Sequence, residues 1–143
     1  MKIAFLCIAL MAVFINTQSP SQVKKTRSEW FASGQEKYAH KDYKHAIADF
    51  SEAIALDPKY DASYAQRGNA KCALKDYDGA IKDYTVAVNH NPTDKSFLMG
   101  RGIAYLRSGQ KDKARSDLRI AKALGAPVSE KDLNECQEKK QKK

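Results

Sequence analysis

The stretch Asp61–Asp94, DASYAQRGNAKCALKDYDGAIKDYTVAVNHNPTD, decides the fold, because its neighbours on both sides repeat its pattern at a spacing of 34 residues. Gly68 has counterparts at Gly34 and Gly102, Ala80 at Ala46 and Ala114, Asp83 at Asp49 and Asp117, and Ala87 at Ala53 and Ala121. Tyr84 answers to Phe50 and Leu118, all large and apolar. Pro92 answers to Pro58 and, in the third register, to Ala126 with Pro127 one step later. A fixed period held in several columns marks tandem supersecondary units, each too small to bury its apolar face alone.

Working outward, apolar residues within each period recur at helical spacing, as in Trp30, Tyr38, Ile47, Phe50 and Ile54, or Ala80, Ile81, Tyr84, Ala87 and Val88. Each period therefore holds two helices. The breaks between them fall at His40-Lys41-Asp42, Lys75-Asp76 and Ser108-Gly109-Gln110. Breaks between periods fall near Pro58, Pro92 and Pro127, where proline cannot continue a helix. The repeated glycines and alanines are expected where two antiparallel helices cross so closely that their backbones touch.

A 34-residue helix pair with these columns resembles the tetratricopeptide repeat. Residues 27–60 match with Trp30, Gly34, Tyr43, Ala46, Phe50, Ala53 and Pro58; residues 61–94 match with Tyr64, Gly68, Tyr77, Ala80, Tyr84, Ala87 and Pro92. Residues 95–128 keep Leu98, Gly102, Tyr105, Gly109, Ala114 and Ala121, but carry Lys111 where an aromatic is usual and Ala126 where proline is. The resemblance implies an all-α fold: three tandem helix-turn-helix repeats of 34 residues forming a right-handed α-solenoid with a C-terminal capping helix. It also implies a concave groove lined by the first helix of each repeat. The groove residues are then Phe31, Gln35 and Tyr38, then Ala65, Asn69 and Cys72, then Met99, Ile103 and Leu106. Phe31 and Tyr38 are expected to lie clear of helix crossings.

Some members of that family grip the carboxylate terminus of heat-shock chaperones with cations at three groove positions. Here these positions hold Phe31, Ser96 and Gly100, so a terminal carboxylate would be desolvated and unpaired. Arg67 and Arg101 stand where the family pattern has leucine, and with Asp49, Asp83 and Asp117 they suggest ion pairs between helices.

Outside the repeats, Met1 and Lys2 precede thirteen apolar residues, Ile3–Ile15, and a polar stretch follows to Gln22. This is the layout of a secretory signal peptide over residues 1–19, followed by a polar linker over 20–26. Thirteen residues span about 20 Å as a helix, short of a hydrocarbon core of about 30 Å, which disfavours anchoring through residues 3–15. Export to a periplasm or the exterior is the expectation. Residues 129–143 read as a capping helix and basic tail, with Ser129-Glu130-Lys131-Asp132 as its capping box and Val128 and Leu133 as a hydrophobic staple.

The whole chain has 143 residues, 43% of them hydrophobic and 29% charged, which suits one folded domain and excludes a disordered polyampholyte. Its net charge is +8, with clusters at Lys24, Lys25 and Arg27 and at Lys139–Lys143. No aromatic residues interleave with those lysines, so nucleic acid is not expected as a partner. Cys7, Cys72 and Cys136 form no CxxC pair, and His40, His45 and His90 form no i, i+4 pair, so neither a metal site nor a catalytic constellation is visible. Cys72 and Cys136 are expected as free thiols. No cofactor is implied. The sequence thus points to a non-enzymatic, exported adaptor that receives a peptide segment of another protein. The alternative is an electrostatic binder of an anionic surface through the basic termini; end-to-end self-association is a further option.

Overall fold

The computed structural model describes residues 24–137; the signal peptide expected over residues 1–19, the start of the expected linker and the final six residues lie outside the described part. Seven helices and no strand make up the described residues. They are α1 (Arg27–Ala39), α2 (Tyr43–Leu56), α3 (Asp61–Ala73), α4 (Tyr77–His90), α5 (Lys95–Arg107), α6 (Lys111–Ala123) and α7 (Glu130–Glu135). Local chemistry starts most of them. Thr26 and Glu29 form a reciprocal capping box at α1, and the Asp42, Asp76 and Asp94 carboxylates accept backbone N–H groups at α2, α4 and α5. Within each pair the first helix ends in a left-handed residue. Gly109 adopts this conformation freely at φ +83°, whereas Lys41 and Lys75 occupy the equivalent places at φ 62° and 64° against a side-chain penalty.

Consecutive helices pair as α1 with α2, α3 with α4 and α5 with α6, and each pair stacks on the next. The inner helices also meet, α1 with α3 and α3 with α5, while α2, α4 and α6 make no such contacts with one another. The stack therefore curves, with α1, α3 and α5 on its concave side.

Alanines at the crossings (Ala46, Ala53, Ala80, Ala87, Ala114 and Ala121) are completely buried. The glycines of the 34-residue period make room for something other than a facing backbone. A Cβ on Gly68 would stand 3.0 Å from the Tyr84 ring, one on Gly34 2.7 Å from Phe50, and one on Gly102 2.8 Å from Leu118. The small residue of the inner helix is thus a socket for the large residue sixteen positions later in the outer helix.

The repeated aspartates are buried and paired. Asp83 accepts from Arg67 Nε at 2.9 Å and Nη2 at 2.7 Å, and Lys71 Nζ lies 2.8 Å away. Asp117 accepts from Arg101 Nε at 2.7 Å and Nη2 at 3.0 Å. In the first pair, Ser33 and Lys37 replace the arginine, at 2.5 and 2.6 Å from Asp49. Arg67 Nη1 also donates to Ser51 Oγ of the preceding pair at 3.0 Å, which ties neighbouring pairs together.

α7 closes the far end. It is shorter than the sequence suggests, ending at Glu135, with Cys136 and Gln137 in a turn. Ser129 Oγ accepts the Asp132 N–H at 3.1 Å and donates to the Asp132 carboxylate at 2.8 Å. Val128 and Leu133 pack on Leu106, Ala114 and Leu118.

Candidate binding groove

The expected groove residues all lie on α1, α3 and α5, the concave helices. They differ in what they expose. Gln35 is exposed, and Phe31, Tyr38, Asn69, Cys72, Met99 and Ile103 are half-buried. Ala65 and Leu106 are only 7% and 4% exposed. Ala65 is part of the cluster around Tyr84, and Leu106 is enclosed by Ala114, Leu118, Leu133 and Cys136. These two support the groove wall from behind and offer it no surface.

Phe31 and Tyr38 also differ from expectation. Phe31 packs against Phe50, with ring centroids 5.7 Å apart, and edge-on against Tyr60 at 5.3 Å. Tyr38 meets Tyr43 edge-on at 5.3 Å. Both rings belong to the cluster of Ala46, Phe50 and Ala70. They serve the first repeat's core and the groove at once, because an inner-helix ring next to the socket glycine is drawn into the same apolar contact.

At the centre stands a residue that the groove positions alone miss. Tyr84 rises from α4 between Gly68 and Gly100, and its hydroxyl donates to Asn69 Oδ1. Asn69 Nδ2 in turn donates to Gln66 Oε1 at 3.3 Å. Burial, with Cys72, Tyr38 and Asp83 nearby, holds the Tyr84 phenol well above its ordinary range. Burial likewise raises Tyr38, next to Tyr43 and Cys72, and pushes the Cys72 thiol up to about 11. These groups stay neutral near pH 7. The signal for Tyr84 was available in sequence: of Phe50, Tyr84 and Leu118 it alone carries a hydroxyl, and Gly100 clears its path where the other repeats have Ala32 and Gln66.

The groove is thus uncharged across its floor. Rings lie at the α1 side, an amide and phenol at α3, and Met99 and Ile103 at α5. Phe31, Ser96 and Gly100 leave the three cation positions vacant of charge, and Gly100 is pressed against the Tyr84 ring. Cys72 in α3 and Cys136 just after α7 are free thiols. Among the described residues no cluster of three or more His, Cys, Asp or Glu could hold a metal ion, and no helix is long and apolar enough to cross a membrane. His45 Nδ1 lies 2.8 Å from Asp42 and His90 Nδ1 2.6 Å from Asp61, both at turns outside the groove.

Inner and outer helices in register, with the socket glycines between them, leave one architecture. The fold is that of tetratricopeptide-repeat domains. The family model for the tetratricopeptide repeat matches residues 30–60. No curated protein sequence matches the chain significantly. Among solved structures, the chain is similar to the TPR2B domain of yeast Sti1 in complex with an Hsp70 peptide, at 19% identity and a TM-score of 0.73, over 80% of this chain and 98% of that one. It is similar to the second TPR domain of human RPAP3 with the HSP70 peptide SGPTIEEVD, at 23% identity and 0.72, over 77% and 93%. It is also similar to the Yersinia enterocolitica type III secretion chaperone SycD with a peptide of the translocator YopD, at 20% identity and 0.70, over 77% and 91%.

Proposed function

We propose that this chain is an exported, non-enzymatic adaptor that holds a segment of another protein in its concave groove. The observation that carries the reading is the uncharged floor: Gln35 and the Asn69–Tyr84 pair sit between the Phe31 and Tyr38 rings and the Met99–Ile103 patch. Such a surface offers apolar contact area and a few amide and hydroxyl groups that can fix an extended chain or helix. The fold is found elsewhere with peptides bound, in yeast Sti1, human RPAP3 and SycD. The absence of cations at Phe31, Ser96 and Gly100 favours an uncharged segment here over an acidic chain terminus. Export rests on residues 1–19, and intact-mass measurement of protein from its native host tests it: retention of Met1 speaks for an anchor.

Because Phe31 and Tyr38 help hold the first repeat together, the groove is best tested at Gln35 and Ile103. A partner captured from the exported fraction and identified by mass spectrometry supplies the peptide for titration calorimetry. Gln35→Ala and Ile103→Ala together should weaken binding by about 1 to 3 kcal/mol; Ile103 also packs on the third repeat's core, so the double variant should melt a few degrees lower, while Gln35→Ala alone should leave the melting temperature unchanged. Deleting Lys139–Lys143 should cost less than about 1 kcal/mol at physiological salt. Normal binding by the groove variant, with failure of the truncated chain, would instead favour an anionic surface as the partner. A mass that rises with concentration in the absence of partner would favour self-association.

A further inference from the structure

Ile3–Ile15 reads IAFLCIALMAVFI, thirteen apolar residues in a chain that is 29% charged overall. Left in water, such a run exposes apolar surface at about 25 cal/mol for each Å². A chain that still carries it gains by covering it. The concave side offers a cover: Phe31 and Tyr38 on α1, Cys72 on α3, and Met99 and Ile103 on α5 are uncharged and half-buried. Elsewhere the large apolar side chains left exposed, Leu56, Leu74, Ile120 and Leu124, stand outside the inner helices, singly or as one pair.

Length and tether fit as well. Thirteen residues make a helix of about 20 Å. Two interhelical spacings of about 8 to 10 Å carry the groove from α1 across α3 to α5, about 16 to 20 Å in all. The linking residues 16–26 end at Thr26, the N-cap of α1. Phe31 follows five positions later, about 8 Å along the helix. Eleven linking residues reach up to about 36 Å, and so short a connection holds the tethered run at an effective concentration on the order of millimolar. Modest affinity is then enough to fill the groove.

We propose that, in the chain that keeps residues 1–19, Ile3–Ile15 folds back and occupies the concave groove, so that a partner segment gains it only once those residues are removed. The proposal rests on a groove that takes an uncharged segment, and names the segment that holds it first. An apolar occupant strands no ion there, because Phe31, Ser96 and Gly100 stand where cations would have been buried. It strands few polar groups either. Asn69 and Tyr84 are already bonded to each other, and Gln35 is exposed and keeps its water.

The chain carries its own reporters, since Cys7 lies within the run and Cys72 in the middle helix of the groove. The test treats the full chain, dilute, with a bismaleimide crosslinker at pH 8, over hours to allow for the slow Cys72 thiol, and maps the monomer band by mass spectrometry. A Cys7–Cys72 product should dominate, with Cys136, 1% exposed, left unreacted. Leu6→Glu with Leu10→Glu, two positions that share a helical face, should lower that product about tenfold or more, because both carboxylates would lose water against a neutral floor. A fluorescein-labelled peptide of residues 2–18 carrying Cys7→Ser should bind this charged variant about tenfold more tightly than it binds the unsubstituted chain, whose groove is already filled. Absence of the Cys7–Cys72 product, its formation only between molecules, or its indifference to Leu6→Glu and Leu10→Glu would overturn the proposal. So would a Cys7–Cys136 product in its place. Peptide binding by the charged variant that is lost with Gln35→Ala and Ile103→Ala, without a Cys7–Cys72 product in the unsubstituted chain, would refute this proposal alone and leave the groove as a binding site.

Discussion

Replacing Asp83 by alanine tests what holds the second helix pair together. The carboxylate is 5% exposed and carries two cations, Arg67 through both oxygens and Lys71 at 2.8 Å, each cation 19% exposed. Removing one partner of a buried pair costs about 3 to 5 kcal/mol, because the opposite charge stays desolvated. Here the lower end applies. Arg67 keeps its bond to Ser51 Oγ at 3.0 Å, and the Lys71 stem is long enough to carry its ammonium back to water. A loss of about 3 kcal/mol, at about 4 °C per kcal/mol, lowers the melting temperature by roughly 12 °C.

The same contacts fix an order among variants. Arg67→Leu leaves Asp83 paired with Lys71 and should cost about 1 to 2 kcal/mol. Adding Arg67→Leu to Asp83→Ala removes the stranded guanidinium, so the double variant should be more stable than the two losses summed, by about 1 kcal/mol or more. Asp49→Ala should cost about half as much as Asp83→Ala, since its cation, Lys37, is 35% exposed. Thermal and urea melts followed by far-UV circular dichroism read all four. An Asp83→Ala melt within about 2 °C of wild type, or strictly additive losses, would show that the ion pairs are held by the stack and contribute nothing to it.

Gly68→Leu should destabilise by roughly 2 to 4 kcal/mol, since even a Cβ would stand 3.0 to 3.3 Å from the Tyr84 ring; an unchanged melt would mean that Tyr84 can leave its socket freely. Cys72, with its thiol pushed from 9.0 to about 11, should be alkylated by iodoacetamide at pH 8 roughly a hundredfold more slowly than an ordinary thiol, and faster as pH climbs toward 11; mass spectrometry of the modified peptide measures this, and a rate matching glutathione would refute the burial argument.

The helix pairs were legible in the sequence because they depend on columns: the 34-residue spacing of Gly68, Ala80, Asp83 and Ala87 encodes a local, repeated contact. The groove was less so. Lining positions can be counted along a helix, but accessibility depends on what packs behind it. Leu106 vanished beneath α7, and Phe31 was drawn onto Phe50 and Tyr60. Tyr84 escaped notice for the converse reason. Its column reads as core, and in the other two repeats it is core; only the hydroxyl and the small Gly100 beside it take the side chain through to Asn69. The Thr26–Glu29 capping box was in plain view, a Thr-x-x-Glu just ahead of Trp30, and fixes where the first repeat starts.

Departures from the period are as informative as the period. A column that stays apolar through Ile47 and Ile81 and then becomes Arg115 cannot serve the same contact in the third repeat. Burying Arg115, Arg119 and Lys122 beneath another apolar inner helix would strand three charges, at several kcal/mol each. Stacking of a further apolar inner helix on α6 is therefore disfavoured by electrostatics, and α7 meets the charged face with its own Glu130 and its terminal carbonyl. A chain that needed only a soluble end could have used a mixed polar surface. This one places Arg115, Arg119 and Lys122 in the three columns of α6 that face α7. That asymmetry between the neutral groove and the basic end gives one small stack two surfaces of different chemistry.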